Sequence, residues 1–283
     1  MQDQTASKTA LATAYMRAAH QILDDRPLLF DDETAVALLG DRAAETIQEH
    51  FSRHQSPAGR ALRAHVCLRS RFAEDRLRQA VARGVDRYVL VGAGFDTFAL
   101  RRPAWAQSLR IVEVDHPATQ AAKREMLSKA GFVEPENAIF APADFTRETL
   151  GEVLARHGVG RDRPVYFSWL GVSMYLEEAA IDAALRDMAA FAPGSEVTLT
   201  FKEPPGTGDS AAASATQLAE RVKNVGEAFV SFFTPGAMQA KLLQCGYTSV
   251  LFLTPERARE QYFTPSRRDL PAPKQTNIVC ASR

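Results

Sequence analysis

Apolar positions along this chain follow two rhythms. Up to about Arg83 they recur at helical spacing; from Arg87 onward short apolar runs alternate with amphipathic stretches. In the first part, Leu11, Tyr15, Ala18 and Ile22 form one face of a helix that Asp24-Asp25-Arg26-Pro27 ends. Phe30-Asp31-Asp32-Glu33 opens a second helix carrying Val36, Leu38 and Leu39, with Gly40 as its stop. The polar stretch from Ser52 to Pro57 reads as a loop, and a third helix follows over roughly Gly59 to Arg83.

The second part reads as repeated strand–helix units, which imply a parallel sheet with right-handed crossovers. Tyr88 to Val91 is a continuous run of β-formers, as a strand covered on both faces requires, and it stops at Gly92-Ala93-Gly94. Further strands are expected over Leu109 to Asp115, Ala138 to Phe145, Val165 to Trp169 and Glu196 to Lys202. The helices between them open at His116-Pro117 and near Glu148, and a third carries Ile181, Leu185, Met188 and Ala192. After the fifth strand a turn-rich loop from Pro204 and a weakly patterned helical region to about Val230 read as a lid or substrate wall, or else as a long solvated connection. Thr234-Pro235 opens a last helix, and Thr248 to Leu253 and Asn277 to Ala281 read as two final strands.

Charge narrows the partners. Lys plus Arg (34) balances Asp plus Glu (34), so there is no bulk electrostatic case for nucleic acid. No apolar run reaches membrane-spanning length and the polar start is unlike a signal peptide, so a cytoplasmic location with no membrane partner is expected. Cys67, Cys245 and Cys280 show no metal-ligand spacing and read as buried structural thiols; no metal is expected.

Two glycines at a strand's carboxyl end permit a tight turn and close approach of backbone to a ligand, at the place where open α/β sheets bind nucleotides. A dinucleotide fingerprint needs a third glycine where Thr97 stands. Asp115, ending the second strand, is placed to accept from ribose hydroxyls, a device shared by NAD and S-adenosylmethionine sites. Asp144, at the next strand end, is placed to accept from an adenine amino group beside Phe145, or else to cap the following helix. Arg69 lies on the apolar stripe of Leu62, Val66, Ala73, Leu77 and Ala80, held inward to meet an anion or snorkelling to water; Arg71 and Arg76 fall off that stripe and read as solvated.

Gly92-Ala-Gly-Phe-Asp-Thr97, Glu113-Val-Asp115, Ala143-Asp-Phe145 and Leu170-Gly-Val-Ser-Met-Tyr-Leu176, in this order, resemble the leucine carboxyl methyltransferase-like family of S-adenosylmethionine-dependent methyltransferases, in its bacterial, largely uncharacterised branch. The resemblance spans nearly the whole chain and implies an α/β, class I methyltransferase fold. Its Rossmann-like sheet would have seven strands, the last inserted antiparallel. A single domain over 1–283 would comprise an N-terminal helical cap (1–84) and a core (85–283), with a lid insertion (204–233). It implies a cofactor, S-adenosyl-L-methionine, with Gly92, Ala93, Gly94 and Asp96 around its methionine part, Asp115 at the ribose, Asp144 and Phe145 at the adenine, and Arg69 at the carboxylate. His116 would line the cofactor side or cap a helix. Two positions depart from the family pattern: Leu170 stands where a Glu is frequent, and Asp31 near a position where some members have Lys.

Methyl transfer from a sulfonium is an in-line displacement, so alignment and dehydration are the protein's main contributions. A carboxylate acceptor is already ionised at neutral pH and needs no general base; a hydroxyl acceptor needs one. With no evident base–orienter pair, O-methylation of a carboxylate, or a hydroxyl, of a small metabolite is the expected activity, with Tyr175 and Trp169 as candidate walls of the acceptor pocket. The alternatives are an NAD(P)-dependent oxidoreductase and a non-catalytic S-adenosylmethionine-binding protein. A hydrolase elbow at Gly171-Val-Ser-Met-Tyr175 fails because Tyr175 stands where glycine is needed.

Overall fold

The computed structural model describes residues 6–145, 147–204, 228–263 and 269–283. Seven strands form one sheet: β1 (Arg87–Val91), β2 (Arg110–Asp115), β3 (Ala138–Pro142), β4 (Tyr166–Trp169), β5 (Glu196–Thr200), β6 (Ser249–Phe252) and β7 (Ile278–Ser282). Their order is β3-β2-β1-β4-β5-β7-β6, with β7 antiparallel to both its neighbours and the first five strands parallel. This is the seven-stranded sheet with an inserted antiparallel strand that the family resemblance implies. The order reverses between β1 and β4, so a crevice opens beyond the carboxyl ends of these two strands.

The continuous apolar runs are explained by burial on both faces. Val89 and Val91 of β1, with Phe167 and Trp169 of β4, pack toward α8 (Leu150–Arg156), α9 (Glu178–Ala189) and α10 (Pro235–Gln244). Tyr88, Leu90, Ile111 and Tyr166 point the other way, against Leu77 and Ala80 of α5 (Pro57–Ala82). Helix α5 thus lies across the back of the sheet, and its middle, through Cys67, Leu68 and Phe72, meets Ala258 of α11 (Pro255–Tyr262) and Ile278 of β7. The remaining long crossover, α7 (Pro117–Lys129), begins with proline at a first-turn position, as its sequence predicts.

The N-terminal helix α1 (Lys8–Leu23) packs on α5, α2 (Glu33–Leu38) packs on α1, and both meet the turn after β1. Between them and α5 lie two further helices, α3 (Ala43–Glu49) and α4 (Phe51–Gln55), the second occupying most of the stretch from Ser52 to Pro57 expected to be a loop. Neither has a side-chain cap, so the usual start signals are missing; burial of Ile47 and a hydrogen bond from Arg63 to the His54 carbonyl (2.9 Å) hold them instead. Arg76 is also not simply solvated, since its guanidinium pairs with the buried Glu196 at 3.0 Å. Of the thiols, Cys67 and Cys280 are buried and Cys245 is half-buried. The expected lid falls largely on residues 205–227, outside the described residues. No helix among the described residues is long and apolar enough to cross a membrane.

Candidate ligand site at the sheet switch point

Beyond β1 the chain turns through Gly92 and Gly94, both at positive φ (69° and 53°), which side chains other than glycine's adopt at a cost. Space forbids a side chain too: a Cβ on Gly92 would run into Val172, and one on Gly94 would sit 3.0 Å from Ala10 of α1. The amides of Gly92 and Ala93 donate to the Val114 carbonyl at 2.8 and 3.1 Å, which pins the turn to β2. Asp115, the last residue of β2, reaches across it. Its carboxylate accepts from the Gly94 amide and, at 2.6 Å, from the His116 amide. Burial pushes its carboxyl above the usual range, and the two amides offset this only in part. An ionised carboxylate has lone pairs left after two such bonds, free for ligand hydroxyls. Asp96, in the same turn, accepts from the Phe98 amide at 2.7 Å.

His116 caps α7, its Nδ1 accepting from the Ala118 amide at 3.3 Å. Asp144 lies two residues past the end of β3, which is shorter than its sequence suggests. It does not cap the next helix, because Thr149 does, in a capping box with Glu152. Its half-buried carboxylate instead meets exposed Arg147 at 3.3 Å, while Phe145 packs on the central core. Leu170 is half-buried at the end of β4.

Arg69 completes the arc. Gly171, at φ 76°, has no Cβ because the guanidinium lies there: a Cβ would be 2.7 Å from Nη1 of Arg69. This guanidinium forms no hydrogen bond or ion pair with any other described residue. Burial and the nearby charge of Arg17 hold its pKa down to about 10. The two aromatic candidates separate. Trp169 is 1% exposed in the sheet core, so it presents no wall to a pocket, and its Nε1 is without a partner among the described residues. Tyr175 is half-buried and stacks at 5.3 Å on Phe229.

Residues 10–189 match the leucine carboxyl methyltransferase family. The chain belongs to that family. Similar relatives carry names of one kind. YktD of Bacillus subtilis, a candidate S-adenosyl-L-methionine-dependent methyltransferase, is 28% identical over 96% of this chain and 96% of its own. Franean1_4929 of Parafrankia, also a candidate S-adenosyl-L-methionine-dependent methyltransferase, is 32% identical over 77% of this chain and 67% of its own. Among solved structures, a candidate methyltransferase from Thermobifida fusca superposes with a TM-score of 0.57 at 21% identity, over 87% of this chain and 92% of its own. A DUF574 protein from Streptomyces avermitilis gives 0.60 at 13% identity, over 99% and 98%. At those identities the structures speak for the fold alone.

Three features of this leucine carboxyl methyltransferase relative escape sequence reading. One is a buried ionic network joining four segments. Arg17 of α1 donates to Asp32 (2.8 Å) and to the Phe95 carbonyl (2.6 Å), Thr97 donates to Asp32 (2.5 Å), and Arg101 pairs with both Asp32 (3.4 Å) and Glu74. Burial outweighs the Arg101 partner and pushes the Glu74 carboxyl up to about 6. Within Phe30-Asp31-Asp32 it is therefore Asp32 that is structural, while Asp31 is exposed beside Arg26. The other two features are His65, one turn before Arg69 on α5, and Lys202, just past β5. Burial, then the charges of Arg69 and Lys202, push the His65 ring down to about 3. Neither His65 nor Lys202 sits in a motif that would have flagged it.

Proposed function

We propose that this chain is an S-adenosyl-L-methionine-dependent O-methyltransferase acting on a carboxylate of a small metabolite. The observation that carries the reading is Arg69: a guanidinium held among packed side chains, with no carboxylate paired to it among the described residues, at the crevice where the sheet order reverses. The cofactor's amino-acid carboxylate suits it, the ribose hydroxyls suit Asp115, and the adenine suits Asp144 with Phe145. The glycine turn through Asp96 lets backbone approach the middle of the ligand. The donor set therefore fits the group that the relatives' names specify.

When bound, that cofactor supplies a sulfonium methyl: the acceptor oxygen's lone pair forms the new O–C bond and the S–C pair stays on sulfur. With a carboxylate acceptor the products are a neutral ester and a neutral thioether, and no proton moves. This fits the side chains present. His116 is occupied as a helix cap, and His65 is too weakly basic at about 3 to take a proton from an alcohol at neutral pH. What the protein supplies is alignment and exclusion of water around charges that cancel as the bond forms. The chain's residence is read as cytoplasmic.

Thermal unfolding with S-adenosylhomocysteine, NAD and NADP tests the cofactor. Ligand at about a hundred times its dissociation constant adds roughly 2.7 kcal/mol, which raises the midpoint by several degrees in a chain of this size. A shift with S-adenosylhomocysteine that Asp115→Ala abolishes is expected; a shift with NAD or NADP alone replaces this reading with an oxidoreductase. With methyl-labelled donor, label incorporated into product should be released by alkali as methanol. Label fixed on nitrogen or carbon refutes carboxylate methylation.

A further inference from the structure

Arg69 has a cationic neighbour that the cofactor reading does not use. Lys202 stands two residues beyond β5, half-buried, its ammonium with no hydrogen bond or ion pair to any other described residue. Burial lowers its pKa; the Glu203 carboxylate counters this without pairing with it. Arg69 lies against Gly171, just past β4, and Lys202 follows the neighbouring strand β5, so both stand at the carboxyl ends of paired strands; the charges of both act on His65. Among the described residues no carboxylate pairs with either cation.

An aromatic wall stands against Lys202. Its Nζ lies 5.5 Å from the centroid of Phe229, which stacks on Tyr175 and meets Phe232 edge-on at 6.5 Å. That segment is tied down beside the lysine: the Phe233 amide donates to the Lys202 carbonyl and the Val230 amide to the Met174 carbonyl, both at 2.8 Å. Phe232 and Val230 are nonetheless 37% and 43% exposed, large apolar groups facing outward next to an unpaired cation. An ammonium over a ring face keeps its charge at moderate cost, and an anion placed there gains a charge-assisted hydrogen bond.

We propose that Lys202 is the specificity-determining residue for the methyl acceptor, and that the acceptor is a carboxylate on an aromatic body, its head at Lys202 and its body against Tyr175, Phe229 and Phe232. The proposal rests on the carboxylate O-methylation reading and adds the substrate class and the residue that selects it. The two cations divide the anions: Arg69 takes the cofactor's carboxylate and Lys202 the acceptor's. Their side chains suit these tasks. A guanidinium fork grips both oxygens of a carboxylate that must stay put, whereas an ammonium is a point charge that holds one oxygen and leaves the other free to attack.

The test uses the full chain saturated with S-adenosylhomocysteine, titrated with phenylacetate, phenylacetamide and acetate while thermal midpoint and heat of binding are followed. Phenylacetate should bind, the isosteric neutral amide and the ringless acetate far more weakly. Lys202→Met should weaken phenylacetate roughly tenfold to a hundredfold while leaving the response to S-adenosylhomocysteine intact, and Lys202→Arg should restore phenylacetate binding. The proposal is overturned if wild type treats acid and amide alike, if acetate matches phenylacetate, or if Lys202→Met keeps the preference for the acid. A failure of the methyltransferase reading looks different: neither wild type nor variant responds to S-adenosylhomocysteine at all.

Discussion

Arg17 and Arg69 are both inward-pointing arginines on helices that pack together, and they differ in how their charge is answered. Arg17 is 6% exposed with its charge answered by Asp32, itself 0% exposed, and by the Phe95 carbonyl. Arg69 has no such partner among the described residues and carries a lowered pKa. A buried cation with its anion built in belongs to the fold; one with no such partner is the one we propose for a ligand.

The comparison breaks most visibly at Arg17. Arg17→Met leaves Asp32 buried without its main counter-ion, and removing one partner of a buried pair costs about 3–5 kcal/mol. Urea unfolding should show that loss as a lower midpoint with an unchanged slope. Arg69→Met should do the opposite in the ligand-free protein, leaving the midpoint unchanged or raised, because a poorly solvated charge has been removed. Its effect should appear in calorimetric titration instead, as roughly tenfold to a hundredfold weaker S-adenosylhomocysteine binding. Destabilisation of the ligand-free protein on the scale of Arg17→Met would end the distinction.

The effect that is smallest at any one step of the measurement is a pH dependence beside Arg69, spread over several pH units. In the ligand-free folded chain His65 stays neutral down to about 3, whereas unfolded it takes a proton near its ordinary 6.5. The unfolded state therefore binds the extra proton in between, so this residue's contribution is complete above 6.5 and is lost as pH falls toward 3. The slope from one such group is at most about 1.4 kcal/mol per pH unit. His65→Gln should flatten the acid limb of a stability–pH curve by up to that amount. An unchanged limb would mean that neither burial nor the charges of Arg69 and Lys202 depress the His65 ring.

What the sequence revealed follows the range of each interaction. β1, the Gly92–Gly94 turn and Asp115 were legible because strand, turn and acid are contiguous or one crossover apart, and α7 because Pro117 marks its start. Arg69 was legible as a charge on an apolar stripe. Helices α3 and α4 were not, since packing rather than capping defines them. Trp169 was read as a pocket wall because the strand pattern does not say which side of a strand end faces the crevice; it faces the core. The Arg17–Asp32–Arg101–Glu74 network and the grouping of His65 with Lys202 draw on segments far apart in the chain, and no local spacing encodes such meetings.

The seat of α1 also sets an order of assembly during synthesis. Arg17 bonds Asp32 across 15 residues but the Phe95 carbonyl across 78, and the Ser7 amide meets the Thr119 hydroxyl across 112. A chain elongating at about 5–20 residues per second therefore offers Asp32 to Arg17 within a few seconds and Phe95 only after several more. Asp32 is thus within reach of the arginine's charge before the turn that Arg17 will cover has been made. Helix α1 can be seated only once the chain has reached that turn and Thr119, so the glycine turn and its roof reach their final form together.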